Sequence, residues 1–173
     1  MNTCFSIDKD TVWASVDPGR NGAIVLWRGE TIVEIFLLEE LLGAKKERKR
    51  LRLEISPEFA VIEDVHGITG DSASGSFNFG WSAGILHQFF NETAYVAPQK
   101  WQYAMHKGLP KSMDTKLRSR AIVERLHPRV LEAYPFKKHD GVWDAVCLGR
   151  YFIASQIMKN VLFGKTTATK GKS

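Results

Sequence analysis

Residues 13–27 read WASVDPGRNGAIVLW. One carboxylate, Asp17, closes an apolar run, Pro18-Gly19 turns the chain at once, and a second apolar run resumes at Gly22. The pattern predicts two short strands, residues 12–17 and 22–27, joined by a turn-forming Pro-Gly-Arg-Asn. An acid in that place either punctuates a hairpin or floors a metal site, and the rest of the chain has to decide.

Reading outward, TIVEIFLL (31–38) continues as a third strand, so the chain opens as a three-stranded meander. Residues 39–54 predict a short helix and an exposed loop around Leu41, Leu42, Leu51 and Leu53. EFAVIEDV (58–65) is a continuous apolar run ending in acid, which suits a buried central strand. His66 to Ser74 is Gly, Ser, Thr and Asp in a loop. From Gly75 to Phe90 apolar residues recur at Phe77, Trp81, Ile85 and Phe89, the spacing of an amphipathic helix. TAYVAP (93–98) is a strand. Helices follow from Pro98 to Gly108, from about Asp114 to His127 before Pro128, and from about Asp140 onward.

With 173 residues, 44% of them hydrophobic, the chain can bury one substantial core and is too short for two comfortable domains. A single domain over 1–160 is expected, followed by a basic, flexible tail at 161–173. No apolar run approaches the roughly 20 residues of a membrane span, and the first ten residues lack signal-peptide features. A soluble, intracellular protein is expected, in the cytoplasm of a bacterium or a phage-infected cell. Cys4 and Cys147 form neither a C-x-x-C pair nor a disulfide framework. Lys and Arg number 24 against 19 Asp and Glu, a formal charge of +5. Six of the basic residues crowd into AKKERKRLR (44–52), and three lysines lie in the last ten residues. Such clusters make nucleic acid a natural partner, although a basic run is as often a solvated face.

The informative pattern is acids at strand ends. Asp17 ends the first strand and Glu63 the fourth, while Asp140 and Asp144 stand four apart on one face of the last helix. Singly, each has a plain reading: turn former, strand end or helix cap. Together they are acids converging from three elements, a grouping that repels itself unless hard cations sit within it. Two Mg²⁺ ions about 4 Å apart could there activate water and stabilise the leaving oxygen of a phosphodiester. The five histidines show no i, i+4 pair, and only His139, beside Asp140, remains a candidate neighbour. No phosphate-cradling glycine loop and no Ser-His-Asp context is present.

SVDPGRNGAIVL (15–26), AVIEDVHG (60–67), FNFGWSAGIL (77–86), VAPQKWQYAMHKGLPK (96–111), DTKLRSRAIVERLHP (114–128) and KHDGVWDAVCLG (138–149) together resemble the RuvC-type Holliday junction resolvases, particularly phage versions. The resemblance spans roughly residues 12–152, and VAPQKW and the final Asp-Ala are its more specific parts. It implies an α/β RNase H-like fold: a mixed five-stranded sheet, first three strands antiparallel, flanked by helices. It also implies a homodimer that binds branched DNA and nicks a four-way junction symmetrically with Mg²⁺ or Mn²⁺, two ions per site. In that frame Asp17 bridges the metals, Glu63 holds the metal nearer the leaving group and Asp144 the metal that activates water. The fourth acid departs from the bacterial pattern, which places it where this chain has Gly141; Asp140 and His139 are the candidates. Lys100, Lys107, Lys111, Lys116 and Arg118 become phosphate contacts by analogy. Phe77 or Phe79 would stack on unpaired bases at the crossover, against the ordinary expectation that aromatics at helical spacing are core. Two other classes compete. One is an RNase H-like nuclease of the RuvX-like kind or a non-catalytic nucleic-acid-binding module, acting on other branched, flapped or RNA-containing substrates. The other is an actin-like or sugar-kinase ATP-binding fold, which needs a second domain that this length does not supply.

Overall fold

The computed structural model describes residues 5, 7–19, 21–42, 53–64 and 73–163. The basic run at 45–52, the loop at 65–72 and the residues after 163 lie outside them, and nothing below concerns their structure. The elements are β1 (Val12–Asp17), β2 (Ala23–Arg28), β3 (Thr31–Leu37), α1 (Leu38–Leu42), β4 (Phe59–Glu63), α2 (Ala73–Phe89), β5 (Thr93–Val96), α3 (Pro98–Met105), α4 (Thr115–Leu126), α5 (Pro128–Ala133), a 3₁₀ turn (Lys137–His139) and α6 (Asp140–Phe163).

One mixed sheet of order β3-β2-β1-β4-β5 carries the fold. The first three strands are antiparallel, and β4 and β5 run parallel to β1. This is the strand arrangement the RNase H-like reading implies. Strand side chains alternate between faces, so each central strand feeds two cores. Trp13, Val25, Trp27, Phe59 and Val61 face α6 and α4, while Ala14, Val16, Ile24, Leu26, Ala60 and Ile62 face Leu86 of α2 and Phe90 just after it. Both faces are dry, which is why β1, β2 and β4 read as unbroken apolar runs.

Three expectations need correction. The helix expected from Gly75 begins two residues earlier, at Ala73. Only the second half of the expected stripe faces inward: Ile85 and Phe89 pack on the core beside the buried Leu86 and Phe90, whereas Phe77 is 66% exposed and Trp81 42%. Apolar residues surround this helix on most sides, so a four-residue spacing could not single out the buried one. Finally, Pro128 ends α4 but also opens α5, a short helix the sequence did not announce. Pro at a first helical turn is well placed because its missing N–H has no partner to lose there. No described helix is long and apolar enough to cross a membrane.

α6 lies against β1 and β2, and its closeness depends on Gly149. A Cβ at that position would stand 2.4 Å from Cζ2 of the fully buried Trp27. Trp27 cannot simply move aside, since its indole N–H donates to Ser15 Oγ at 2.8 Å. Gly149→Ala should therefore cost about 1–3 kcal/mol by overpacking, although alanine is the better helix former by about 1 kcal/mol. A lowered urea midpoint for the variant checks this; an unchanged or raised midpoint contradicts it.

Candidate active site

Parallel pairing of β1 with β4 runs from Trp13 opposite Phe59 to Val16 opposite Ile62. One step further along both strands are Asp17 and Glu63. The two-residue period puts Asp17 on the face of Trp13 and Ser15, and Glu63 on the face of Phe59 and Val61. Two carboxylates thus stand side by side at the ends of neighbouring strands, on the face that α6 covers, and both are buried. Glu63, rather than Asp64, is the acid that faces inward.

α6 is fastened over them by Ser15, whose hydroxyl donates to the carbonyl of Ala145 at 2.7 Å. The residue before that carbonyl is Asp144, 3% exposed. Asp140 lies one turn earlier. It does not cap the helix with its carboxylate; Oδ1 accepts from Asn21 Nδ2 at 3.0 Å instead. Position 141 has no room for a side chain. Gly141 packs on the β1–β2 turn so closely that a Cβ would come within 2.1 Å of the Asn21 carbonyl oxygen. His139 goes elsewhere: its ring sits 5.4 Å from Tyr134 and 5.8 Å from Phe136, and its buried Nδ1 has no hydrogen-bond partner.

The charges are unbalanced. Burial, then the neighbouring charge of Asp144, pushes the Asp17 carboxyl up to about 6. Burial, then Asp17, pushes Glu63 up to about 8, against the hydrogen bond it accepts from Trp101 Nε1 at 2.9 Å. Among the described residues the cation that reaches the group is Lys116, whose ammonium contacts Asp144 Oδ2 and lies 3.5 Å from Asp140 Oδ2. Burial alone would lower the Lys116 pKa, but Asp144 and Asp17 outweigh it and hold the ammonium above its ordinary range.

Of the other expected DNA contacts, Arg118 bonds Thr115 Oγ1 at 3.1 Å, and Lys100, Lys107 and Lys111 are exposed on α3 and the segment after it. Phe77 is exposed on α2; Phe79 shares that helix, with its side chain outside the described set. Cys147 is a buried free thiol, and burial raises its pKa far above the usual range, which leaves it inert.

Among the described residues, no group of three His, Cys, Asp or Glu side chains is arranged to hold a metal ion as it stands. In chemistry, the donor set suits a hard divalent cation. It is all carboxylate oxygen, two of its acids are held protonation-prone by burial and mutual repulsion, and Asp144 Oδ1 is buried with no hydrogen-bond partner. Trp101, Asn21 and Ser15 were not foreseen as parts of the site. VAPQKW marked Trp101 as notable without showing its partner, and nothing in the spacing tied Ser15 or Asn21 to α6.

No protein-family model matches the chain, and no curated protein sequence does. Among solved structures, T. thermophilus RuvC in complex with a Holliday junction substrate is similar, with a TM-score of 0.46 and 15% identity over 84% of this chain and 95% of that one.

The raised carboxyl pKa values make a signed prediction for the metal-free protein. Between the unfolded value of about 4.3 and the folded value of about 8, the native state holds a proton on Glu63 that the unfolded state has lost. Stability must fall as pH rises through that window. Glu63→Gln keeps an acceptor for Trp101 and removes the charge. In EDTA it should melt several degrees above the wild type at pH 8, and the gap should close near pH 4.5. A constant gap across that range would show that Glu63 titrates normally.

Proposed function

We propose that this protein is a divalent-metal-dependent endonuclease that nicks four-way DNA junctions. The observation that carries the proposal is the burial of Asp17, Glu63 and Asp144, from three separate elements, beside the Lys116 ammonium. A purely structural core has no use for such an arrangement, because each buried like charge raises the cost of the next. The motif resemblance over residues 12–152 supports a branched-DNA substrate.

Asp17, Glu63, Asp144 and Asp140 would hold Mg²⁺ or Mn²⁺, two ions per site. When bound, such a pair activates water and stabilises the leaving oxygen of a phosphodiester. The chain's own residues set the stage. Trp101 orients Glu63, Asn21 orients Asp140, and Ser15 fixes the height of α6 above β1. Lys116 and Arg118 on α4, with Lys100, Lys107 and Lys111 nearby in the sequence, supply positive charge for DNA phosphates. Contacts of that kind position the duplex arms without reading their bases. Phe77, exposed on α2, is available to stack on a base at the crossover. The same helix, through Phe77, Trp81 and Ile85, is the proposed subunit contact of an isologous homodimer. Its two sites would then face opposed strands of a two-fold junction.

A nicking assay on a four-way junction, a flap, an RNA–DNA hybrid and plain duplex, each in Mg²⁺ and in EDTA, tests the reading. Mg²⁺-dependent paired nicks on the junction are expected. Equal cutting in EDTA ends the metal hypothesis, and preference for the flap or the hybrid moves the substrate. In the same assay Asp144→Asn and Asp140→Asn should each slow cutting by about 10²-fold or more while junction binding is kept. His139→Ala should still cut. Near-normal cutting by Asp140→Asn with none by His139→Ala would transfer the fourth role to His139.

A further inference from the structure

Lys116 stands in the first turn of α4, where its backbone N–H is held by the Asp114 carboxylate at 2.9 Å. From that fixed base its side chain reaches across to α6 and touches two acids one helical turn apart, Asp144 and Asp140. The two ends of the contact differ in access. The Lys116 side chain is 39% exposed, whereas that of Asp144 is 4% exposed. The acid cannot leave, but the lysine, a point charge on a flexible stem, can withdraw toward solvent. Its ammonium also satisfies only half of its partner, since Asp144 Oδ1 remains without a hydrogen bond.

We infer that Lys116 is the resident counter-ion of the carboxylate cluster, seated on Asp144 and Asp140 until a divalent cation takes those oxygens, and then released toward DNA. The inference rests on the metal-dependent reading above and adds the regulation of that site. A hard cation held by Asp144, even through the unpartnered Oδ1, stands against the ammonium on Oδ2, and two positive charges that close repel. Lys116 must therefore weaken metal binding while it stabilises the metal-free fold, in which the acids otherwise lie buried without a cation. Once displaced, the same ammonium stands beside the site with no carboxylate to neutralise it. Metal loading and phosphate binding are thereby coupled, each favouring the other.

Mn²⁺ binding to the full chain without DNA, read from the electron paramagnetic resonance of the free ion, tests this apart from activity. Lys116→Met should bind Mn²⁺ at least about tenfold more tightly than the wild type, melt lower in EDTA and gain more on saturation. Should Lys116→Met fold only when Mn²⁺ is present, that too supports the role. Lys116→Arg keeps the charge and can grip a carboxylate at two points, so its Mn²⁺ affinity should fall below that of the wild type. It decides the matter if the Met variant does not fold at all: affinity equal to or above the wild type then overturns the inference. Lys9→Met removes the same charge from the loop before β1, at the far end of that strand from Asp17, and should leave affinity unchanged. Wild-type or weaker affinity in Lys116→Met overturns the inference, as does equal tightening in Lys9→Met. Asp144→Asn separates the two levels: if it binds Mn²⁺ like the wild type, the metal-site reading itself fails, whatever Lys116 does.

Discussion

Side-by-side placement of Asp17 and Glu63 at the ends of two parallel strands is the constraint around which the other groups are arranged. Neighbouring strands lie only about 4.8 Å apart, and α6 closes over both acids, so their charges meet in a poorly solvated place. Each later feature moderates that repulsion or holds the elements together against it. Trp101 gives Glu63 one strong donor, the Gly19 N–H gives Asp17 another at 2.7 Å, and Lys116 supplies the positive charge. The helix would not stay above two raised carboxyls on electrostatics alone. It is held by the hydroxyl of Ser15 and by the aromatic layer formed by Trp13, Trp27, Phe59 and Phe152.

That division between a well-packed layer and an electrostatically strained end is how one short domain can carry such a site. Trp13 and Trp27 stack at 5.3 Å and both are fully buried, so the lower half of the β1–β2–α6 sandwich is apolar and tightly set. One pleat above, Ser15 is the first polar group, shared between Trp27 and Ala145. One pleat above that is Asp17. Polarity thus rises along a single strand from ring to hydroxyl to carboxylate, and the site's cost in stability is offset by what lies beneath it.

The elements that were legible in the sequence are those whose signal is local. Continuous apolar runs gave β1, β2 and β4, and proline gave the start of α3 and the end of α4, while α3 stops at Met105, short of the Gly108 expected to end it. The acids at strand ends were legible because a strand's period is fixed, so Asp17 and Glu63 could be placed on one face once their strands were taken as neighbours. What was not legible depends on contacts between distant residues. Nothing at position 101 shows that its indole reaches Glu63. Nothing in MDTK shows that Lys116 turns toward acids rather than outward to DNA. The buried face of α2 was only half placed, at Ile85 and Phe89, because apolar residues on several sides leave no unique stripe, and only packing in the cluster of Val16 and Ile62 selects Leu86 and, just past the helix, Phe90. Glycine at 141, where the resemblance expects an acid, was visible in the sequence; that no side chain fits there was not, since what fills the space is the backbone of a turn 120 residues earlier.

That turn and the first turn of α6 behave as one unit of sequence. Because the Asn21 carbonyl fills the space a side chain at 141 would need, while the Asn21 amide steadies the carboxylate at 140, the two positions cannot drift independently. A chain with this architecture and its acid at 141 must carry a turn of another shape, with no residue pressed against the helix. Conversely, grafting this turn onto such a chain would expel its acid. Positions 21, 140 and 141 should accordingly change together among related sequences, as a linked trio whose members look unrelated when each column is read alone.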